Sequence, residues 1–132
     1  MRTTRRIPIL IGLATVIGIG CTTGTEPGNV PSGDVAIVQG ASTKGANAFS
    51  PNPYSESFAT KASVKWVNAD VGTGGYGGSG GVTHHLVSNT ALFDSGTLGP
   101  GSTYTFTFAG AGSYPYHCTI HPTMTGTITL TP

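Results

Sequence analysis

Charged residues are scarce in this sequence, since 8% of its 132 residues are Asp, Glu, Lys or Arg. Three of the six basic residues stand within the first six positions, which leaves three lysines against five acidic residues, a formal balance of −2. A nucleic-acid-binding surface needs clustered positive charge, and no stretch of this chain supplies it. The composition therefore argues against nucleic acid as a partner.

The N-terminus has the pattern of an export signal. Arg2, Arg5 and Arg6 precede an apolar run over residues 7–20, which is shorter than the roughly 20 residues that cross a bilayer. The Gly20-Cys21 flank resembles a bacterial lipobox, which implies a lipoprotein-type signal over residues 1–20 and lipid on Cys21. The alternative is an ordinary cleaved signal followed by a chance cysteine.

Residues 21–33 have few apolar groups and no period, so they predict a flexible linker between the anchor and a domain over residues 34–132. We expect a monomer exported to the periplasm or another extracytoplasmic face, tethered to the membrane through Cys21. The second cysteine, Cys118, lies deep in the domain. A Cys21–Cys118 disulfide would join a processing site to a core strand, so we expect no disulfide.

Helical periodicity is also lacking, and the domain is predicted to be all-β. The stretch 63–68 places Val64 and Trp66 on one face, and the stretch 103–108 alternates aromatic residues with threonines. Residues 48–54 contain two prolines and predict an edge strand or a loop. Several short strands separated by Gly and Pro are typical of a Greek-key β-sandwich or barrel.

The chemistry concentrates in one segment near the C-terminus. Cys118, His121 and Met124 stand at C-x2-H-x2-M spacing. A thiolate, an imidazole and a thioether suit copper, whose electron-transfer sites combine two His and one Cys with a weak axial Met. The segment supplies one His, so a second is required elsewhere, and the adjacent His84 and His85 are the candidates.

The segment resembles the copper loop of the small blue copper proteins, the cupredoxins, and most closely the amicyanin version of that loop. Pro122 follows the His as it does there, and the likeness extends through Trp66-Val-Asn68 and Phe93-Asp-Ser-Gly96. The family pattern of His-x-Val matches His85, which implies copper ligands at the residues His85, Cys118, His121 and Met124. His84 is then expected to be exposed, and Leu86 takes a place where relatives often have Asn.

The resemblance implies an electron carrier rather than an enzyme. One type 1 copper would cycle between Cu(I) and Cu(II) and exchange electrons with redox proteins such as a c-type cytochrome or a membrane oxidoreductase. Two alternatives stay open: a copper domain of a nitrite reductase or oxidase, which His117 beside Cys118 partly matches, and copper carriage or storage. His117 is expected on the outer face. The glycine-rich Gly72–Gly81 segment is expected to be a mobile loop, either neutral or a flap beside the copper.

Overall fold

The computed structural model describes residues 30–73 and 79–132. The predicted signal, Cys21 and most of the predicted linker lie outside the described residues, as does the centre of the glycine-rich segment, residues 74–78. The strands are β1 Val35–Ile37, β2 Phe49–Ser50, β3 Tyr54–Ser57, β4 Ser63–Asn68, β5 Gly72–Thr73, β6 Ser79–Gly80, β7 His84–Ser88, β8 Asp94–Leu98, β9 Thr103–Thr107, β10 Gly112–Cys118 and β11 Thr125–Thr131. Two 3₁₀ turns, Ala41–Thr43 and Gly45–Ala48, separate β1 from β2.

The strands form two main sheets, which confirms the all-β prediction. One sheet has the order β2-β1-β4-β9 and the other the order β3-β11-β10-β7-β8. The β1–β4 and β3–β11 pairs are parallel, and the other pairs in these two sheets are antiparallel. The chain crosses from the edge of one sheet to the edge of the other between β2 and β3, where Pro51 and Pro53 stand. Proline has no amide proton to donate, which suits a crossing between edges.

Aromatic side chains fill the space between the sheets. Trp66 of β4 is fully buried, and its ring centroid lies 5.6 Å from that of Tyr116 of β10, which is also buried. Phe49 and Phe93 pack against Tyr116 at 4.9 and 6.1 Å. The predicted common face of Val64 and Trp66 on β4 is therefore confirmed and points inward. The packing around Tyr116 fixes β10, the strand that ends at Cys118.

The glycine-rich segment is anchored at both ends. Gly72 pairs with Gly80 and Thr73 with Ser79 in a small antiparallel ribbon. The amide of Val82 donates to the carbonyl of residue 70 at 2.9 Å, which closes the base of this segment.

In the described part of the chain, no helix has the length and apolarity needed to cross a bilayer.

Candidate metal centre

Three potential metal ligands converge at one end of the sandwich: His84, Cys118 and His121, whose ligand atoms all lie within 4.8 Å of one another. Cys118 Sγ is 3.9 Å from His84 Nδ1 and 3.8 Å from His121 Nδ1. His84 and Cys118 are fully buried, whereas His121 is partly exposed. The three side chains thus point two nitrogens and one sulfur at a common space.

This spacing fits a trigonal metal site. Bonds of about 2.0 Å to nitrogen and about 2.3 Å to sulfur at trigonal angles would place each nitrogen about 3.7 Å from the sulfur. The observed separations of 3.9 and 3.8 Å are close to that value. Two imidazoles and one thiolate are the donor set of type 1 copper sites, so the residues present fit copper.

A tight turn after β10 brings the C-terminal ligands together. The Met124 amide donates to the His121 carbonyl at 2.9 Å, and the Cys118 amide donates to the Met124 carbonyl at 3.1 Å. Met124 is fully buried. The C-x2-H-x2-M spacing therefore corresponds to one closed loop, which folds His121 back toward the Cys118 sulfur.

The structure corrects the choice between the two neighbouring histidines. The prediction that His84 is exposed is wrong, because His84, Leu86 and Ser88 form the buried face of β7. The side chain of His85 lies on the other face, where its Nε2 is hydrogen-bonded to Asp94. The structure therefore brings His84 rather than His85 to Cys118 and His121.

The register of β7 explains this placement. Leu86 pairs with Cys118 across β7 and β10, and both side chains are buried. Since successive side chains alternate between the faces of a strand, His84 must share the face of Leu86. The residue that follows the inward histidine is consequently His85 and not Leu86. The position at which relatives often have Asn is therefore occupied by His85 in this chain, and not by Leu86 as expected.

His85 nevertheless contributes its backbone to the centre. Its amide donates to Cys118 Sγ at 3.5 Å, and its carbonyl accepts the Thr119 amide at 2.8 Å. These bonds tie the strand that carries His84 to the loop that carries His121. His117 lies on the outer face as alternation predicts, with its Nδ1 2.7 Å from Asn89 Oδ1.

The surroundings of Cys118 favour a thiolate. Burial acts to raise the pKa of its thiol, but contacts with the imidazoles of His84 and His121 and hydrogen bonds from nearby backbone amides outweigh burial and lower the pKa from 9.0 to about 6. A metal-binding cysteine must be deprotonated. The site is therefore disposed to bind a cation at neutral pH.

Two buried polar residues beside the centre were missed by the sequence analysis. Asp70 and Asn68 are fully buried, and an oxygen of Asp70 lies 3.1 Å from His84 Nε2. Their short Asn-Ala-Asp stretch is typical of an exposed turn, and Asp70 is 14 residues from its partner. No pattern in the sequence signals this contact.

A two-sheet β-sandwich with a Cys–His–His group at one end defines the class as a copper protein. The described residues contain one such group. The chain belongs to the copper binding proteins of the plastocyanin/azurin family, whose model matches residues 41–131. This confirms the resemblance to cupredoxins and identifies copper as the cofactor. No curated protein sequence matches the chain.

Solved structures agree with this assignment. A purple cupredoxin from Nitrosopumilus maritimus is 26% identical with a TM-score of 0.59, over 74% of this chain and 97% of that one. A copper-containing nitrite reductase from Thermus scotoductus is 32% identical with a TM-score of 0.51, over 64% of this chain. This chain spans only 20% of that enzyme's length. A reduced mutant of amicyanin, at 24% identity and a TM-score of 0.41 over 52% of this chain and 61% of that one, is too distant to bear on the site.

Proposed function

We propose that this chain is an electron carrier outside the cytoplasm, in which His84, Cys118, His121 and, more weakly, Met124 would hold one type 1 copper. The observation that carries the proposal is the His–Cys–His group at trigonal spacing, with His84 and Cys118 buried, in a chain of the plastocyanin/azurin family. Copper-based electron transfer is the chemistry that this family supports in general. Copper would supply a one-electron couple, Cu(II)/Cu(I).

The scaffold suits that role because it holds the donors in place. His84 and Cys118 lie on paired strands, and the loop that carries His121 is closed by two backbone hydrogen bonds. A site whose ligands move little between two oxidation states needs little rearrangement for each electron transferred. The fixed donors therefore favour repeated exchange of electrons over uptake and release of the metal.

The route for electrons is proposed to pass through His121. This side chain is partly exposed, and its neighbours Ile120, Pro122 and Thr123 are exposed, with Ile120 at 50%. They form a small apolar surface around His121, here called the His121 surface. Because the chain is poor in charge, docking of a redox protein there should be brief and only mildly dependent on salt.

Kinetics with a small soluble c-type cytochrome test this route. Ile120→Lys places an unpaired charge in the contact and should slow the second-order rate about tenfold, which corresponds to about 1.4 kcal/mol. Leu92→Lys is a matched control, since Leu92 is also a large hydrophobic residue and is 44% exposed. It follows the C-terminal end of β7, whereas His84 begins that strand, so it lies away from the metal centre. Equal rates for the two variants would place docking elsewhere.

The location and the anchor are parts of the same proposal. They are supported by the apolar run before Gly20-Cys21, and stable tethering would need more than one acyl chain. Expression of the full chain in a bacterial host, followed by mass spectrometry of the mature N-terminus, tests it. A lipid-modified Cys21 is expected, and an unmodified chain that starts at another residue would end the idea of an anchor.

A copper domain of a nitrite-reductase-type enzyme is the second candidate. It is favoured by the likeness to the Thermus scotoductus enzyme and by His117, which stands next to Cys118 on the outer face. Metal analysis of the purified protein separates the two proposals. One copper per chain supports the carrier, whereas a second copper that disappears in His117→Ala would support the enzyme domain.

A further inference from the structure

A buried carboxylate stands behind the histidine of the metal centre. The side chains of Asp70 and His84 are both 0% exposed, and Asp70 Oδ2 lies 3.1 Å from His84 Nε2. The other ring nitrogen, Nδ1, faces the Cys118 sulfur. The two nitrogens of one imidazole therefore have different partners, one of which is a carboxylate that lies outside the ligand group.

The hydrogen bonds of Asp70 determine which nitrogen of His84 carries the proton. The Gly40 amide donates to Asp70 Oδ1 at 2.9 Å, and the Ala41 amide donates to Oδ2 at 3.2 Å. Both oxygens thus act as acceptors. The His84 nitrogen that faces them must be the donor, which leaves Nδ1 with a free lone pair on the side of Cys118.

Asp70 is itself held firmly. Its amide donates to Asn68 Oδ1 at 3.0 Å, and Asn68 Nδ2 donates to the carbonyls of Val82 and Leu98 at 2.8 and 2.9 Å. The Val82 amide returns a bond to the carbonyl of Asp70. A carboxylate fixed on this many sides cannot turn away from His84.

We infer that Asp70 is a positioning residue that fixes the tautomer and the ring orientation of His84 and thereby sets the copper affinity and the reduction potential of the site. The inference rests on the proposed role of His84 as a copper ligand. A carboxylate that accepts from a metal-bound imidazole makes the imidazole a stronger donor. It also places a negative charge near the metal, which stabilises Cu(II) relative to Cu(I).

The first test needs neither a variant nor a metal. Nitrogen NMR of the copper-free wild-type protein, with labelled histidine, reports which ring nitrogen carries the proton. We expect the proton of His84 on Nε2, in slow exchange with water because it is buried and hydrogen-bonded to Asp70. A proton on Nδ1 would overturn the proposal. This measurement decides the matter even if an Asp70 variant does not fold.

The second test uses two substitutions that separate the hydrogen bond from the charge. Asp70→Ala removes both, and it should lower the copper affinity about 10- to 100-fold. Asp70→Asn keeps an acceptor oxygen and should recover most of that affinity. Without the negative charge, Asp70→Asn should favour Cu(I) over Cu(II) by about tenfold, which is about 59 mV in potential for one electron.

Asp94 supplies the matched control. It accepts a hydrogen bond from His85, the neighbour of His84, but on the exposed face of β7. Asp94→Ala and Asp94→Asn should leave the copper affinity and the potential close to those of the wild type. The proposal is overturned if the Asp94 variants change both quantities as much as the Asp70 variants do.

The role of His84 is tested separately, so the two failures can be told apart. Loss of the copper spectrum in His84→Gly supports the ligand assignment on which the inference rests. An unchanged spectrum in His84→Gly would remove that assignment, and with it the proposed function as stated. A retained ligand role together with unaltered Asp70 variants would remove the inference alone.

Discussion

Gly126 is predicted to be indispensable because it lies under the ring of Tyr116. The two residues are directly opposite on β11 and β10. A Cβ at position 126 would lie 2.4 Å from Tyr116 Cζ and 2.5 Å from its hydroxyl oxygen. The ring cannot move away easily, since Tyr116 is 1% exposed and packs against Trp66, Phe49 and Phe93.

The expected cost of Gly126→Ala follows from these contacts. Overpacking of a close-packed core typically costs about 1–3 kcal/mol, and the clash at 2.4 Å is severe. The backbone of Gly126 is not among those with a positive φ, so alanine would otherwise gain about 0.4–1 kcal/mol from the unfolded chain. Because so severe a clash puts the cost near the upper end of that range, we expect a net loss of about 2 kcal/mol, with a displaced β10 and an altered Cys118 environment.

Thermal and urea unfolding of the copper-free domain measure this loss. Each kcal/mol should lower the Tm by about 4–8 °C in a domain of this size. Gly110→Ala is the control, because a Cβ there meets nothing within 4 Å and its φ is not positive; it should be neutral or slightly stabilising. In the double variant Gly126→Ala/Tyr116→Leu the total loss should be smaller than the sum of the two single losses, because the clash is absent without the ring. A Gly126→Ala variant as stable as the wild type would refute the reasoning.

Two further predictions concern the metal centre. His84→Gly should abolish the visible copper band whereas His85→Gly should keep it, as measured by absorption of the oxidised protein; the reverse result would restore His85 as the ligand. The pKa of Cys118 is lowered to about 6 in the folded protein, against a reference of 9.0. Between these pH values the unfolded chain therefore binds more protons than the folded chain does. The free energy of unfolding of the copper-free protein should therefore rise from pH 6 to pH 9, by up to about 4 kcal/mol, and fall as the pH drops through 6. Denaturant unfolding at several pH values checks this, and Cys118→Ser should lose the rise.

The sequence predicted those parts of the molecule that depend on local pattern. Alternation placed Val64 and Trp66 on one buried face of β4, and both are fully buried. The spacing of Cys118, His121 and Met124 predicted a shared metal site, and two backbone bonds close the loop that brings Cys118 and His121 together. Such features follow from residues within a few positions of one another, so one sequence is sufficient to predict them.

The predictions that failed concern strand register and contacts between residues that are distant in the sequence. Alternation requires that His84 and His85 face opposite ways but does not say which faces inward; the pairing of Leu86 with Cys118 decides this. The carboxylate behind His84 was missed for a similar reason. Asp70 reaches its partner only because β1, the Ala41–Thr43 turn and β4 assemble around it.

The visible absorption spectrum of the oxidised, copper-loaded protein tests the central claim most directly. We predict one copper per chain and an intense band from charge transfer between the Cys118 sulfur and Cu(II). This band should be lost in Cys118→Ala and kept in His85→Gly. A wild-type protein that binds Cu(II) without an intense visible band, or whose band survives Cys118→Ala, would contradict the type 1 copper centre.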